Sequence, residues 1–179
     1  MNSKSRRPSV ADLRAEEQRK QRQGAAQRKA MLAQQLSPVP GVWLIFCNLG
    51  VTVTLFLLAV PAVLSDSTSV RATYAVFSLI CGAAGCGAFG IALVAGAKRS
   101  RHSEMTMAGW WFLAGTATRQ IWCGLVGAVI LQSVIAVVAA SLVPFSSLAF
   151  GVLVPLLGLG ICGSWGALFG VFPEIGATV

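Results

Sequence analysis

Residues 120–172 read QIWCGLVGAVILQSVIAVVAASLVPFSSLAFGVLVPLLGLGICGSWGALFGVF and contain no Asp, Glu, Lys or Arg. A helix crosses about 30 Å of hydrocarbon with about 20 mostly apolar residues. This run exceeds 50 residues, far too long for one span. Pro144, with Ser141, Ser146 and Ser147 around it, marks a joint, because proline cannot extend a helix and restricts the residue before it. The run therefore reads as a tight hairpin of two spans, about 120–143 and 145–172. Working outward toward the N-terminus, 41–64 and 73–97 meet the same requirement. The fold class is all-α: a four-helix transmembrane bundle.

Composition points the same way. Of the 179 residues 55% are hydrophobic and 11% charged, against roughly 45–50% and about 25% in a soluble domain. A water-soluble globular domain is excluded on that ground. The charges are crowded. Of 14 Lys and Arg, nine lie in the first 29 residues: Lys4, Arg6, Arg7, Arg14, Arg19, Lys20, Arg22, Arg28 and Lys29. Against Asp12, Glu16 and Glu17 their net charge is 9 − 3 = +6. Residues 1–40 thus form a basic tail and hinge, and 41–179 the membrane domain.

Within the tail, Ser9 and Asp12 resemble a capping box with Asp in place of Glu or Gln. The composition from there to Leu36 favours helix. Its apolar stripe is thin: Val10, Leu13, Met31, Leu32 and Leu36, with Gly24 between. Such a polar helix depends on partners or side-chain pairing. Pro38 and Pro40 end it. The stretch 105–118 (MTMAGWWFLAGTAT) is too short and mixed to span, and its Trp110, Trp111 and Phe112 predict a segment lying along the interface. Pro61 and Pro155 fall inside spans, where neighbours can satisfy the freed carbonyl; Pro155 is the candidate for a kink in the fourth.

The positive-inside rule orients the chain. The tail carries nine Lys and Arg, the loop between spans one and two only Arg71, and the next loop Lys98, Arg99, Arg101 and Arg119. Tail and middle loop hold 13 of the 14. With four spans, both termini are expected in the cytoplasm of a plasma (inner) membrane. Trp43, Trp110, Trp111 and Trp122 then lie near cytoplasmic boundaries, and Trp165 about two turns from one, where indoles settle. The first apolar stretch starts after 40 residues and is longer than the 7–15 of a signal-peptide core, so it is expected to remain as an anchor.

Few residues carry chemistry. Gly158-Leu159-Gly160-Ile161-Cys162-Gly163 spells GxGxxG, but phosphate binding needs a preceding strand and a helix N-terminus, and this string lies inside a span. Close packing is the better reading. Gly166 and Gly170 on the same helix, and Gly82, Cys86 and Gly90 on the second, form rows that admit another helix. Cys47, Cys81, Cys86, Cys123 and Cys162 lack zinc spacing. Cys81 and Cys86 stand about 140° apart on a helix, so they read as small hydrophobes. No metal or cofactor is expected.

No Asp, Glu, Lys or Arg lies well inside a span, which weighs against proton relays, ion-coupled carriers and voltage sensors. Asn48 and Gln132 are the most polar groups at depth, and each favours a hydrogen bond across helices worth about 0.6–2 kcal/mol. The tail cations Arg14, Arg19, Lys20, Arg22, Arg28 and Lys29, with Lys98, Arg99 and Arg101, are expected to dock anionic lipid or a protein partner, or merely to hold the topology. Residues 1–42 contain no Phe, Tyr or Trp to stack bases, which weighs against nucleic acid. Ser3, Ser5 and Ser9 sit among the basic residues, where phosphorylation would weaken lipid contact.

The segments SLVPF (141–145), LAFGVLVP (148–155) and GLG (158–160), followed by Trp165-Gly166-Ala167, Gly170 and Phe172-Pro173, resemble a group of small, uncharacterised four-helix integral membrane proteins of actinobacteria. The resemblance covers about a third of the chain, mainly the third and fourth spans. It implies the fold and an envelope location and no activity. In that group a basic or His-containing patch follows the Trp-Gly-Ala; here Leu168 and Phe169 stand in its place.

The expected function is non-enzymatic: an accessory or scaffold subunit of a plasma-membrane complex, in contact with membrane lipids and with a protein partner or further copies of itself. The alternative is a small oligomeric channel or transporter lined by Asn48, Gln132, Thr52, Thr54 and Ser133. A lipid enzyme using His102, Glu104 and Arg119 is the weakest reading, since isolated loop charges are ordinarily solvated.

Overall fold

The structure, a computed structural model, describes residues 10–175. The chain divides into two compact units, Met1–Ser37 and Pro38–Val179. Lys4, Arg6, Arg7, Ser3, Ser5 and the Ser9–Asp12 cap lie outside the described residues or side chains, as does Val179.

In the first unit α1 runs from Val10 to Gln35. It is the helix that its Ala, Gln, Glu, Lys and Arg content favours. Arg14, Arg19, Lys20, Arg22, Arg28 and Lys29 are all exposed, and at 100° per residue they spread around the whole helix.

The second unit contains four helices long and apolar enough to cross a membrane: Val42–Leu64, Thr68–Arg99, Arg119–Leu142 and Ser147–Phe169. Two are single α-helices, α2 (Val42–Leu64) and α3 (Thr68–Arg99). The short helix α4, Met107–Trp111, lies in the loop after α3. The third span begins as α5, Arg119–Trp122, passes through a π-helical turn at Cys123–Gly127 and continues as α6, Ala128–Leu142. The fourth begins as a 3-10 helix, Ser147–Leu153, and becomes α7, Val154–Phe169. Among the described residues no strand forms; one isolated antiparallel bridge joins Ser103 and Glu174.

α7 is the centre of the bundle. Its interface with α3 is the most extensive, and α2 packs chiefly on α6. From Gly158 to Ala167 nearly every residue of α7 is buried, which its glycines permit. A Cβ on Gly160 would stand 2.8 Å from Ala88, and one on Gly85 would stand 2.6 Å from the Leu157 nitrogen. The core at the hairpin end gathers Leu55, Ala59, Ala62, Tyr74, Cys81, Ala139, Leu148 and Val154.

Several boundaries differ from those expected. The helix that carries the second span runs beyond the expected 73–97 at both ends, from Thr68 to Arg99. The early start is possible because Arg71 is held at the helix surface by Asp66 (2.9 Å) and the Ala62 carbonyl (3.4 Å). The fourth stops at Phe169, short of 172, with Gly170 extended at ψ 143°. Pro155 falls in the first turn of α7, where its missing N–H costs no helix bond. What stood as a possible kink is a change of helix type just before it.

The 105–118 segment packs one side onto the bundle and keeps the other exposed, with Met107 at 69% and Phe112 at 56%. Trp111 is 6% exposed and Leu113 1%. The Trp111 ring stacks on Phe89 with centroids 4.3 Å apart and covers Gly163. Trp110 covers Gly96 and donates its indole N–H to the Gly163 carbonyl at 2.9 Å. Leu113 takes a left-handed φ of 54° to make the turn, a conformation that non-glycine residues seldom adopt.

Candidate functional site

Asn48 on α2 and Gln132 on α6 are both fully buried, and they meet. Gln132 Nε2 donates to Asn48 Oδ1 (3.0 Å), to the Asn48 carbonyl (3.3 Å) and to Thr52 Oγ1 (2.9 Å). Thr52 lies one turn beyond Asn48 on the same face and donates to the Asn48 carbonyl at 2.8 Å. Asn48 Nδ2 in turn donates to the Leu125 carbonyl at 2.9 Å. That carbonyl belongs to the π-helical turn, and it also accepts from Ala128 N–H. The spacing Asn48–Thr52 was readable as one helix face; the carbonyl of Leu125 had no signal in the side-chain pattern.

Gln132 Oε1 is buried and has no hydrogen-bond partner among the described residues. It stands over Gly158, where a Cβ would come within 2.5 Å of it and 3.0 Å of Asn48 Oδ1. Glycine at 158 is what lets three helices, α2, α6 and α7, converge on one polar knot. The Tyr74 hydroxyl repeats the arrangement: it is buried, unpartnered and set against Gly151. Burying an unpaired polar atom costs roughly 1–3 kcal/mol, so both places concentrate energetic sensitivity.

The other residues proposed for the alternative pore do not join the knot. Thr54 is exposed, and Ser133 donates to its own helix at the Val129 carbonyl. His102 and Glu104 are tied by backbone bonds to the C-terminal stretch, through Ile175 N to the His102 carbonyl and Glu104 N to the Pro173 carbonyl. Arg119 is exposed at the start of α5.

The small-residue rows divide between the interior of the bundle and its outer surface. Gly82 does pack, against Leu153. Cys86 and Gly90 are exposed, and nothing described lies within 4 Å of a Cβ on Gly90. The inner row of α3 runs instead through Gly82, Gly85, Ala92 and Gly96. Cys86 and Gly90 turn off this inner face because steps of four, 400° in a helix of 100° per residue, rotate by about 40° each time. On α7 Gly166 packs against the Trp110 backbone, as a close-approach glycine should. Gly170 is past the helix end.

Its carbonyl has another use. Arg99 donates through Nη1 to the Ala167 carbonyl (2.9 Å) and through Nη2 to the Gly170 carbonyl (2.6 Å). The guanidinium also lies 5.4 Å from the Phe172 ring centroid. Arg99 therefore caps α7, satisfying carbonyls that the helix end leaves open and meeting its negative pole. These two bonds use part of the guanidinium's donor set and leave its other N–H groups open. Lys98 and Arg101 are exposed. On α1 Lys20 pairs with Glu16 at 2.8 Å, which holds the Glu16 carboxyl below its usual range.

The hinge is part of the bundle. Trp165 donates its indole N–H to the Pro40 carbonyl at 2.9 Å. Gly41, at φ +64°, leaves space that Phe169 and Trp165 fill. Among the described residues no group of three or more His, Cys, Asp or Glu is arranged to hold a metal. Cys81 and Cys162 are buried, and Cys47, Cys86 and Cys123 face outward.

Comparison with protein-family models, with curated proteins and with solved structures gives no match for this chain.

Proposed function

We propose that this integral membrane protein is a non-enzymatic accessory or scaffold subunit of a plasma-membrane complex, with both termini in the cytoplasm. The observation that carries the proposal is the closed polar knot. Its polar groups at depth point at one another and at Gly158, so they tie α2, α6 and α7 together in the interior. A pore would need the same groups to face a shared aqueous path. Their mutual pairing favours the scaffold over a channel or transporter. The exposed cations of α1 belong to the same reading. Spread around the helix, they attract anionic lipid or an acidic partner diffusely and do not form one recognition face. Kinship with the actinobacterial four-helix group, which carries no activity, is part of the proposal.

The test is purification of tagged full-length protein from its native membrane in mild detergent, with size and co-purifying proteins read by mass spectrometry. A stoichiometric larger complex is expected. A lone homo-oligomer that conducts solutes in liposomes, with flux abolished by Gln132→Leu, would replace the scaffold with a channel.

A further inference from the structure

On the outer side of the α3–α7 interface lies an open groove of about 810 Å³. Gly87 and Gly90 of α3 line it with bare backbone and Ala95 of α3 and Ala167 of α7 with methyl groups; Ile91, Val94 and Leu168 contribute larger apolar side chains. Nothing described lies within 4 Å of a Cβ on Gly87 or on Gly90. At one end stand Lys98 and Arg99. Along α3 the distance from Gly87 to Lys98 is about 16 Å, close to half of the roughly 30 Å hydrocarbon core. The groove is thus one leaflet deep, apolar along its length and cationic where the headgroups begin.

We propose that this groove binds a single anionic phospholipid, one acyl chain lying over Gly87 and Gly90 and the phosphate between Lys98 and Arg99. The acyl chain fits because the glycines present no side chain to it. The phosphate fits because neither cation has a carboxylate within 4 Å among the described residues. Arg99 offers the N–H groups that its bonds to Ala167 and Gly170 leave unused, and a guanidinium matches phosphate oxygens well. A zwitterionic lipid would fill the apolar part equally but bring its own cation to the basic end. The inference rests on the membrane-spanning character of α3 and α7 and not on the accessory role.

The test uses the full-length protein in bilayer discs containing either phosphatidylglycerol or phosphatidylcholine with a photoactivatable group on one acyl chain. Labelled residues are mapped by mass spectrometry. Phosphatidylglycerol is expected to label residues 87–98 and 167–168 preferentially. Lys98→Gln should reduce that labelling about fivefold. Gly90→Leu, whose side chain enters open space, should abolish it while leaving other labelled positions and the thermal stability unchanged. Equal labelling by phosphatidylcholine would overturn the proposal, as would undiminished labelling of Gly90→Leu. So would a protein segment or a second copy cross-linked at this face in place of lipid. Because the readout is lipid at mapped residues, it can fail while the native complex is still recovered, and the reverse.

Discussion

Gln132 shows how much one polar residue at depth can do. Its amide nitrogen reaches three oxygens of α2, and its own oxygen faces a glycine of α7. Gln132→Leu should therefore destabilise the bundle by about 1–2 kcal/mol, the loss of interhelical hydrogen bonds in a membrane, measured as a lower midpoint in denaturing-detergent titration. Changing Asn48 and Gln132 together to Leu should recover part of that loss, because removing both partners leaves fewer orphaned groups than removing one. Gly158→Ala should cost about 1–3 kcal/mol by overpacking in the same titration; Gly90→Ala should cost nothing measurable. That contrast separates a glycine in contact from one in open space. Asn48 and Gln132 were each legible from polarity and depth as wanting a hydrogen bond across helices; that they meet each other was not. That Gly158 is crowded and Gly90 lies in the open was not legible, since both are glycines in apolar runs and only their neighbours differ.

Helix ends and joints carry the next layer. Arg99 holds the last carbonyls of α7 from the end of α3. Arg99→Ala should let that end fray, seen as about tenfold faster amide exchange near Gly170, corresponding to about 1.4 kcal/mol. Arg99→Lys should recover little, because a single ammonium does not present the two-pronged guanidinium geometry. In α1, Gly24 is exposed and touches nothing described. Gly24→Ala should raise tail helicity, by up to about 1 kcal/mol of helix propensity, read by circular dichroism of the full-length protein against the parent. The short α4 segment taught a different lesson. A Trp-Trp-Phe cluster at a boundary ordinarily signals the headgroup region; here Trp110 and Trp111 also pack against Gly96, Gly163 and Gly166, while Phe112 stays exposed. Each glycine was visible in the sequence; that three of them face one loop depends on how α3 and α7 are set against each other.

At the scale of the molecule, the proposed orientation rests on where the cations lie. A reporter fused after Val179 is expected to show a cytoplasmic C-terminus, and a single cysteine introduced at Asp66 should react with an impermeant reagent from outside. Activity of an outside-only reporter at Val179 would reverse this topology. The sequence by itself determined the class of the protein, because hydrophobic length and charge distribution are properties of composition along the chain and the bilayer selects strongly on both. Four spans, the hairpin at Pro144 and the two polar residues most in need of partners all follow from that. Tertiary structure alone decided which small residues face inward, which cation caps a helix, and that the loop tryptophans plug the bundle. Those depend on helix rotation and on backbone turns such as the π-helical step at Cys123–Gly127, which are set by the sum of many weak contacts between segments far apart in sequence.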